Sequence, residues 1–169
     1  MKKEGKLRVA FLGMLRAVAF VLAYVESLIP FFIGIYGIKL GLANLAVMLA
    51  LYNLGNKEAF VVAIARIVLV GFTFGNLFSM FYSLAGGLLS YAVMVVAKKS
   101  KLLSINGVSV AGGVCHNIGQ ILVAMLIVEN EKILFYLPVL IISGVITGTV
   151  IGMLSAIVTK RVTKVEYRI

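Results

Sequence analysis

Apolar runs of bilayer-crossing length follow one another along this chain with only short breaks, and that pattern leaves few folds open. A spanning helix needs roughly 20 predominantly apolar residues. Six such helices with short loops use nearly all 169 positions, leaving no room for a soluble domain. Hydrophobic residues make up 62% of the chain and charged residues 13%, whereas a soluble domain is about half apolar and about a quarter charged. A domain of this size still exposes much of its surface, so the solvent that suits this chain is lipid. Strands of a membrane barrel would alternate apolar and polar residues. The run Ala59-Phe60-Val61-Val62-Ala63-Ile64 does not alternate.

The expected fold is therefore an all-α integral membrane protein, a single transmembrane domain over 1–169. Its helices are expected at about 8–25, 38–54, 58–75, 77–97, 108–128 and 133–159. The stretch 26–37 is apolar but broken by Pro30, Gly34 and Gly37. Too short to span and too apolar for an exposed loop, it is expected to lie in or dip into the outer interface. The basic start followed by an apolar run imitates a signal peptide. No small-residue cleavage site follows, so a retained first helix is expected.

The net charge of +10 would suggest nucleic acid in a soluble protein, but here the basic residues gather at helix ends. Lys2, Lys3, Lys6, Arg8, Lys57, Lys98, Lys99, Lys101, Lys160, Arg161, Lys164 and Arg168 fall on one side of the expected bundle, against Lys39 and Lys132 on the other. The positive-inside rule then places both termini in the cytoplasm of a multi-pass protein of the cell membrane. No internal repeat of the inverted-repeat carrier kind is visible. The single Cys115 excludes an internal disulfide.

Small residues recur every fourth position in two helices. Gly144, Gly148, Gly152 and Ala156 make a smooth groove on the last helix, suited to close backbone packing. The first helix carries Gly13 and Ala17, then Ala19 and Ala23. Packing inside the bundle and docking of a helix from another protein both satisfy that second spacing.

Ionisable and amide side chains at membrane depth narrow the function. Arg66 lies about eight residues into its helix, roughly 12 Å from either end at 1.5 Å per residue, where a charge costs about 2.5–3.5 kcal/mol on insertion scales. It either lines a cavity or ligand site, or forms a structural pair with a carbonyl or carboxylate. Arg16, nearer its helix end, can reach back to the interface. His116 and Gln120 share a helix face, with Asn117 beside them. Three hydrogen-bonding side chains in one turn face inward, bridging helices or lining a pocket. His116 and Cys115 diverge on the helix and have no further His or Cys to complete a metal site, so no metal is expected.

Lys39, Asn44, Thr73, Asn76 and Tyr82 fall toward the outer halves of their helices. A pocket entered from outside, floored near Arg66 and His116, accounts for them, and Arg66 favours an anionic group on the ligand. Phe72, Phe74, Phe78, Phe81 and Tyr82 offer aromatic walls or a lipid-facing surface. Catalytic chemistry is not visible: the chain has no Asp, no P-loop and no Ser/His/acid set. Neither an enzyme activity nor a cofactor is expected, and ATP-driven transport would need another subunit.

Four spaced motifs carry a resemblance over roughly residues 8–160: Lys39-Leu40-Gly41-Leu42-Ala43-Asn44-Leu45; Arg66-Ile67-Val68 with Gly75-Asn76; Ser83-Leu84-Ala85-Gly86-Gly87-Leu88-Leu89-Ser90; and Gly113-Val114-Cys115-His116-Asn117-Ile118-Gly119-Gln120. The chain resembles the Gx transporter family, also labelled heptaprenyl diphosphate synthase component I. Prenyl diphosphate synthases hold magnesium diphosphate with Asp-rich motifs, which this chain lacks. The architecture is also similar to substrate-binding (S) components of energy-coupling factor transporters.

That resemblance implies an S-component-like bundle binding a small anionic or amphipathic molecule, such as a vitamin, flavin, quinone or isoprenoid precursor. Arg66, His116, Asn117, Gln120, Asn44 and Asn76 would contact it. The resemblance also implies a transmembrane coupling subunit and ATPases in trans, docked through Ala19, Ala23, Gly13 and Ala17. The family further resembles a membrane protein of flavin-based extracellular electron transfer, which implies the alternative of a membrane anchor for redox partners. Thr147-Gly148-Thr149 resembles sites of covalent flavin attachment, but its place in a glycine-spaced groove favours packing.

Overall fold

A computed structural model describes residues 2–28 and 41–166, except the side chains of 2–10, 12, 26–28, 43, 74 and 163–166. The described residues form α1 Lys2–Leu28, α2 Leu42–Asn53, α3 Asn56–Phe74, α4 Leu77–Ser100, α5 Ile105–Val128 and α6 Leu137–Glu166, with no strand among them. Among the described residues, three segments are long and apolar enough to cross a membrane: Leu77–Ser100, Ile105–Val128 and Glu131–Val162. The 19-residue α3 is long enough but carries Lys57, Glu58 and Arg66. The architecture is an all-α membrane bundle.

Several helix ends differ from expectation, the widest at the start of α1 and the end of α6, which runs to Glu166; two of the differences have a local cause. The second helix begins at Leu42 among the described residues, with Gly41 as N-cap in the left-handed region at φ 70°, where a residue without Cβ is unstrained. Lys39 and most of the expected interfacial stretch lie outside the described residues. The last helix is preceded by a 3₁₀ helix, Glu131–Tyr136. The α-helix proper starts at Leu137, with Pro138 in its first turn, where the missing N–H removes no intrahelical bond.

α2 is the centre of the bundle. Six consecutive residues, Ala46, Val47, Met48, Leu49, Ala50 and Leu51, are buried, as a helix apolar on all sides requires. α1, α3 and α6 pack around it. At 12 residues it rises only about 18 Å, less than the roughly 30 Å of a hydrocarbon core.

Polar contacts gather the basic helix ends at one end of the bundle. The Lys98 ammonium donates to the Leu51 carbonyl at the end of α2 and sits 5.0 Å from the centre of the Tyr52 ring. Asn53 donates to Leu49 O at 2.8 Å and to Thr159 Oγ1 at 3.4 Å. The Tyr91 hydroxyl donates to Asn56 O at 2.8 Å. Lys57, Lys99, Lys101, Lys160 and Arg161 flank these contacts in sequence, so this is the basic end of the bundle.

α5 is clamped between α4 and α6 through glycines. A Cβ at Gly148 would meet Val110 Cα at 2.7 Å, and one at Gly144 would meet Val114 Cα at 2.9 Å. A Cβ at Gly119 would meet Ala85 O at 2.9 Å. The groove expected on the last helix is filled by the α5 backbone.

Candidate functional site

A cavity of about 60 Å³ lies within the bundle. Gly41 and Asn44 from α2 and its N-cap line it, with Arg66 from α3, Ser109, Gly113, His116 and Asn117 from α5, and Thr147, Gly148 and Ile151 from α6. Four of the six expected ligand residues, Asn44, Arg66, His116 and Asn117, therefore meet at one hollow. They come from parts of the chain up to 73 positions apart, as the numbers 44 and 117 show.

Local sequence explains how each is held. Asn44 sits in the first turn of α2, its backbone N–H donating to Gly41 O at 2.8 Å. Asn117 is 9% exposed and donates through Nδ2 to the Leu140 carbonyl of α6 at 2.6 Å. It thus bridges helices and lines the pocket at once. Thr147 donates to Ser143 O at 2.9 Å, which leaves its oxygen to act as an acceptor toward the hollow.

The paired glycines of α4 seat the neighbours of the site. A Cβ at Gly86 would lie 2.7 Å from His116 O and 3.0 Å from His116 Cε1. At Gly87 it would lie 2.6 Å from Ile67 Cδ1, next in sequence to Arg66. The double glycine in the third motif therefore makes room for the residues that present His116 and Arg66.

Gln120 and Asn76 do not line this cavity. Gln120 lies along α4, where a Cβ at Gly86 would meet its Cγ at 2.8 Å. Asn76 caps α4: its Oδ1 accepts from Ser79 N at 2.8 Å, and its own N–H donates to Ser79 Oγ at 3.0 Å. This reciprocal pair satisfies backbone donors at a helix start, so its side-chain oxygen has a structural job. Phe72, Phe78 and Phe81 are exposed on the outside of the bundle and form no cavity wall.

Sequence reasoning missed Ser109. It is 1% exposed, lines the cavity, and its Oγ is buried with no hydrogen-bond partner. Its position two turns before His116 on α5 was the available signal. Arg16 is half-buried, and its Nε is enclosed without a hydrogen-bond partner instead of lying in open solvent.

The lining offers both donors and acceptors: the guanidinium of Arg66 donates only, the Ser109 hydroxyl is buried without a partner, and Asn44, Asn117 and Thr147 carry acceptor oxygens, while none of the described lining residues is a carboxylate. Such a hollow suits a polar group, with Arg66 favouring an anionic one. Ligand pockets usually span about 300–1,000 Å³, so this chamber as it stands accepts a few waters or one small polar group.

On α1, Ala19 and Ala23 are buried at 1% and 8% exposure, and Ala19 packs in the core with residues of α2 and α3. Gly13 and Ala17 are exposed, and nothing lies within 4 Å of a Cβ built on Gly13.

Comparison with known proteins returns a family described as heptaprenyl diphosphate synthase component I, matched by residues 15–158. Nothing matches among curated proteins or solved structures. The matched stretch leaves out only the two ends of the chain and contains every residue around the cavity. This chain belongs to the heptaprenyl diphosphate synthase component I family.

Proposed function

We propose that the chain is the membrane substrate-binding component of an energy-coupling factor type transporter, and that it takes up a small anionic or amphipathic molecule. The observation that carries this reading is the chamber between α2, α3, α5 and α6, where a guanidinium, an imidazole, two carboxamides and an unpartnered hydroxyl converge inside an apolar bundle. Polar groups are costly there, and a shared ligand is a reason to keep them. Arg66 attracts the anionic group, and Ser109, Asn44, His116 and Asn117 orient it.

In this reading the basic end faces the cytoplasm, the chamber fills from the opposite side, and the protein crosses the membrane six times. The family's name refers to a synthase component. We read the chain itself as non-catalytic, since it has no Asp with which to hold a metal–diphosphate. Energy comes from a coupling subunit and ATPases in trans, for which the exposed Gly13 and Ala17 remain the available small-residue contact on α1.

The test is native mass spectrometry of the protein released from membranes. A retained small molecule that disappears in Arg66→Ala, with the melting temperature held within a few degrees, is the expected result. An empty protein that co-purifies with a flavin- or quinone-linked oxidoreductase would replace this reading with that of a redox anchor.

A further inference from the structure

The two ends of α2 are finished differently. At the C-terminal end its carbonyls have donors: the Lys98 ammonium donates to Leu51 O, Asn53 Nδ2 to Leu49 O and the Leu54 N–H to Ala50 O. A cation suits the negative end of a helix dipole. At the N-terminal end the cap is Gly41, no side chain closes the first turn, and no acidic residue stands in it. α4 and α5 start on the side-chain caps Asn76 and Ser104, and α3, which has no such cap, carries Glu58 in its first turn. The first N–H groups of a helix have no acceptor within it, and together they bear a partial positive charge.

That end of α2 borders the chamber. Gly41 and Asn44 both line it, and Gly41, having no side chain, lines it with backbone alone. A Cβ built on Gly41 meets nothing within 4 Å, so open space lies against the helix start. Arg66, His116 and Ile151, which share the lining, stand near the middle of α3, α5 and α6. The positive end of α2 is therefore inside the bundle, where charge is screened less than at a surface. Two further groups serve the same hollow. Arg66 brings a cation from α3, and Ser109, 1% exposed, lines it from α5 with an Oγ that has no hydrogen-bond partner. A buried hydroxyl left unsatisfied is costly, and an acceptor in the hollow removes that cost. The amide and hydroxyl oxygens around them are neutral and do not repel an anion as a carboxylate would.

Helix N-termini, guanidinium groups and hydroxyls are the donors that hold oxyanions, and a helix that starts inside a membrane bundle can turn its positive end to an anionic group. We infer that the N-terminus of α2 is an oxyanion seat: its first-turn N–H groups bind a carboxylate or phosphate group, and Arg66 and Ser109 complete the shell. The chamber of about 60 Å³ is far smaller than a usual ligand pocket, so it takes that group alone. The ligand class is then a molecule with a terminal oxyanion, whose body lies outside the chamber. The seat rests on the geometry; that its occupant is cargo rests on the function proposed above.

The experiment is an NMR titration of the full chain in detergent micelles, with amide-labelled leucine and any retained molecule washed out. Sodium phosphate and sodium acetate are the probes, with chloride holding the ionic strength constant. The Leu42 amide, first in α2, is the reporter, and the Leu51 amide at the far end of the helix is the reference; Leu42→Met and Leu51→Met assign them. Leu42 is expected to shift saturably while Leu51 stays in place. Tighter phosphate marks a phosphate-ended ligand, and tighter acetate a carboxylate-ended one. Ser109→Ala should weaken the apparent affinity about tenfold, the factor set by one hydrogen bond to a charged group. Gly41→Asp puts a carboxylate into the open space at the helix start, in a left-handed conformation that Asp tolerates better than most residues. It should abolish the shift by filling the seat, and should melt no lower than its neutral isostere Gly41→Asn. A Leu42 amide that moves no more than Leu51 with either anion in folded protein overturns the seat, and so does a Gly41→Asp variant melting well below Gly41→Asn. If Leu42 responds while native mass spectrometry finds no ligand, the function proposed above fails and the seat stands. A retained ligand that stays bound in folded Gly41→Asp leaves that function and removes the seat.

Discussion

α6 and α1 carry the same signature, a small residue every fourth position, and use it in different ways. On α6 the glycines are filled by another backbone: Gly144 and Gly148 touch Val114 and Val110 so closely that no Cβ fits. On α1 the signature splits. Ala19 and Ala23 face the bundle, while Gly13 and Ala17 face outward beside Met14, Val18 and Val21, all exposed. Spacing reports that a helix face is smooth. Which body lies against it depends on how the other helices are stacked, and residues of equal size end up in opposite environments.

The contrast can be broken by enlarging one residue at a time and following thermal unfolding in lipid-like detergent. Gly148→Leu forces side-chain atoms into the α5 backbone and should cost more than about 3 kcal/mol, beyond ordinary overpacking. A variant that melted like the parent would show that α5 and α6 are not in backbone contact. Ala19→Leu overfills the contact of α1 with α2 and α3 and should cost about 1–3 kcal/mol. An unchanged midpoint there would mean that Ala19 faces outward.

A third substitution sharpens the same distinction for polar residues. Asn76→Ala removes the cap of α4 and should cost about 1 kcal/mol while leaving any bound molecule in place. Loss of the ligand at unchanged stability would place Asn76 in the binding set. Smallest of all, Gly13→Leu should change stability by less than about 0.5 kcal/mol, because nothing in the bundle waits for its side chain. A large loss would mean that the α1 face is covered by this chain after all.

Much of the fold was legible because lipid imposes simple rules. Apolar run lengths located the helices; the last one starts later, after Glu131–Tyr136 winds as a 3₁₀ helix ahead of Pro138, and runs on to Glu166. The site was legible in part. Arg66, His116, Asn117 and Asn44 could be singled out because polar atoms at membrane depth need a reason. Gln120 could not be separated from them by periodicity, since it shares the face of His116 yet lies against Gly86 of α4. Ser109 escaped notice because a serine is an ordinary helix residue, and only its burial without a partner sets it apart. Asn76 has a local role that spacing alone did not show: with Ser79, three positions on, it caps the start of α4.

By itself the sequence determined that this chain folds as helices in a membrane, since 62% hydrophobic content leaves no soluble solution and backbone polar groups in lipid must pair within their own segment. It also determined which residues would be costly to bury. Only the tertiary structure decided which of those costs are shared around one chamber, which are met by a cap or a neighbouring carbonyl, and which small residues touch another backbone. Those outcomes follow from helix stacking, where contacts between distant positions such as Asn44 and Asn117 form, and no local pattern encodes them.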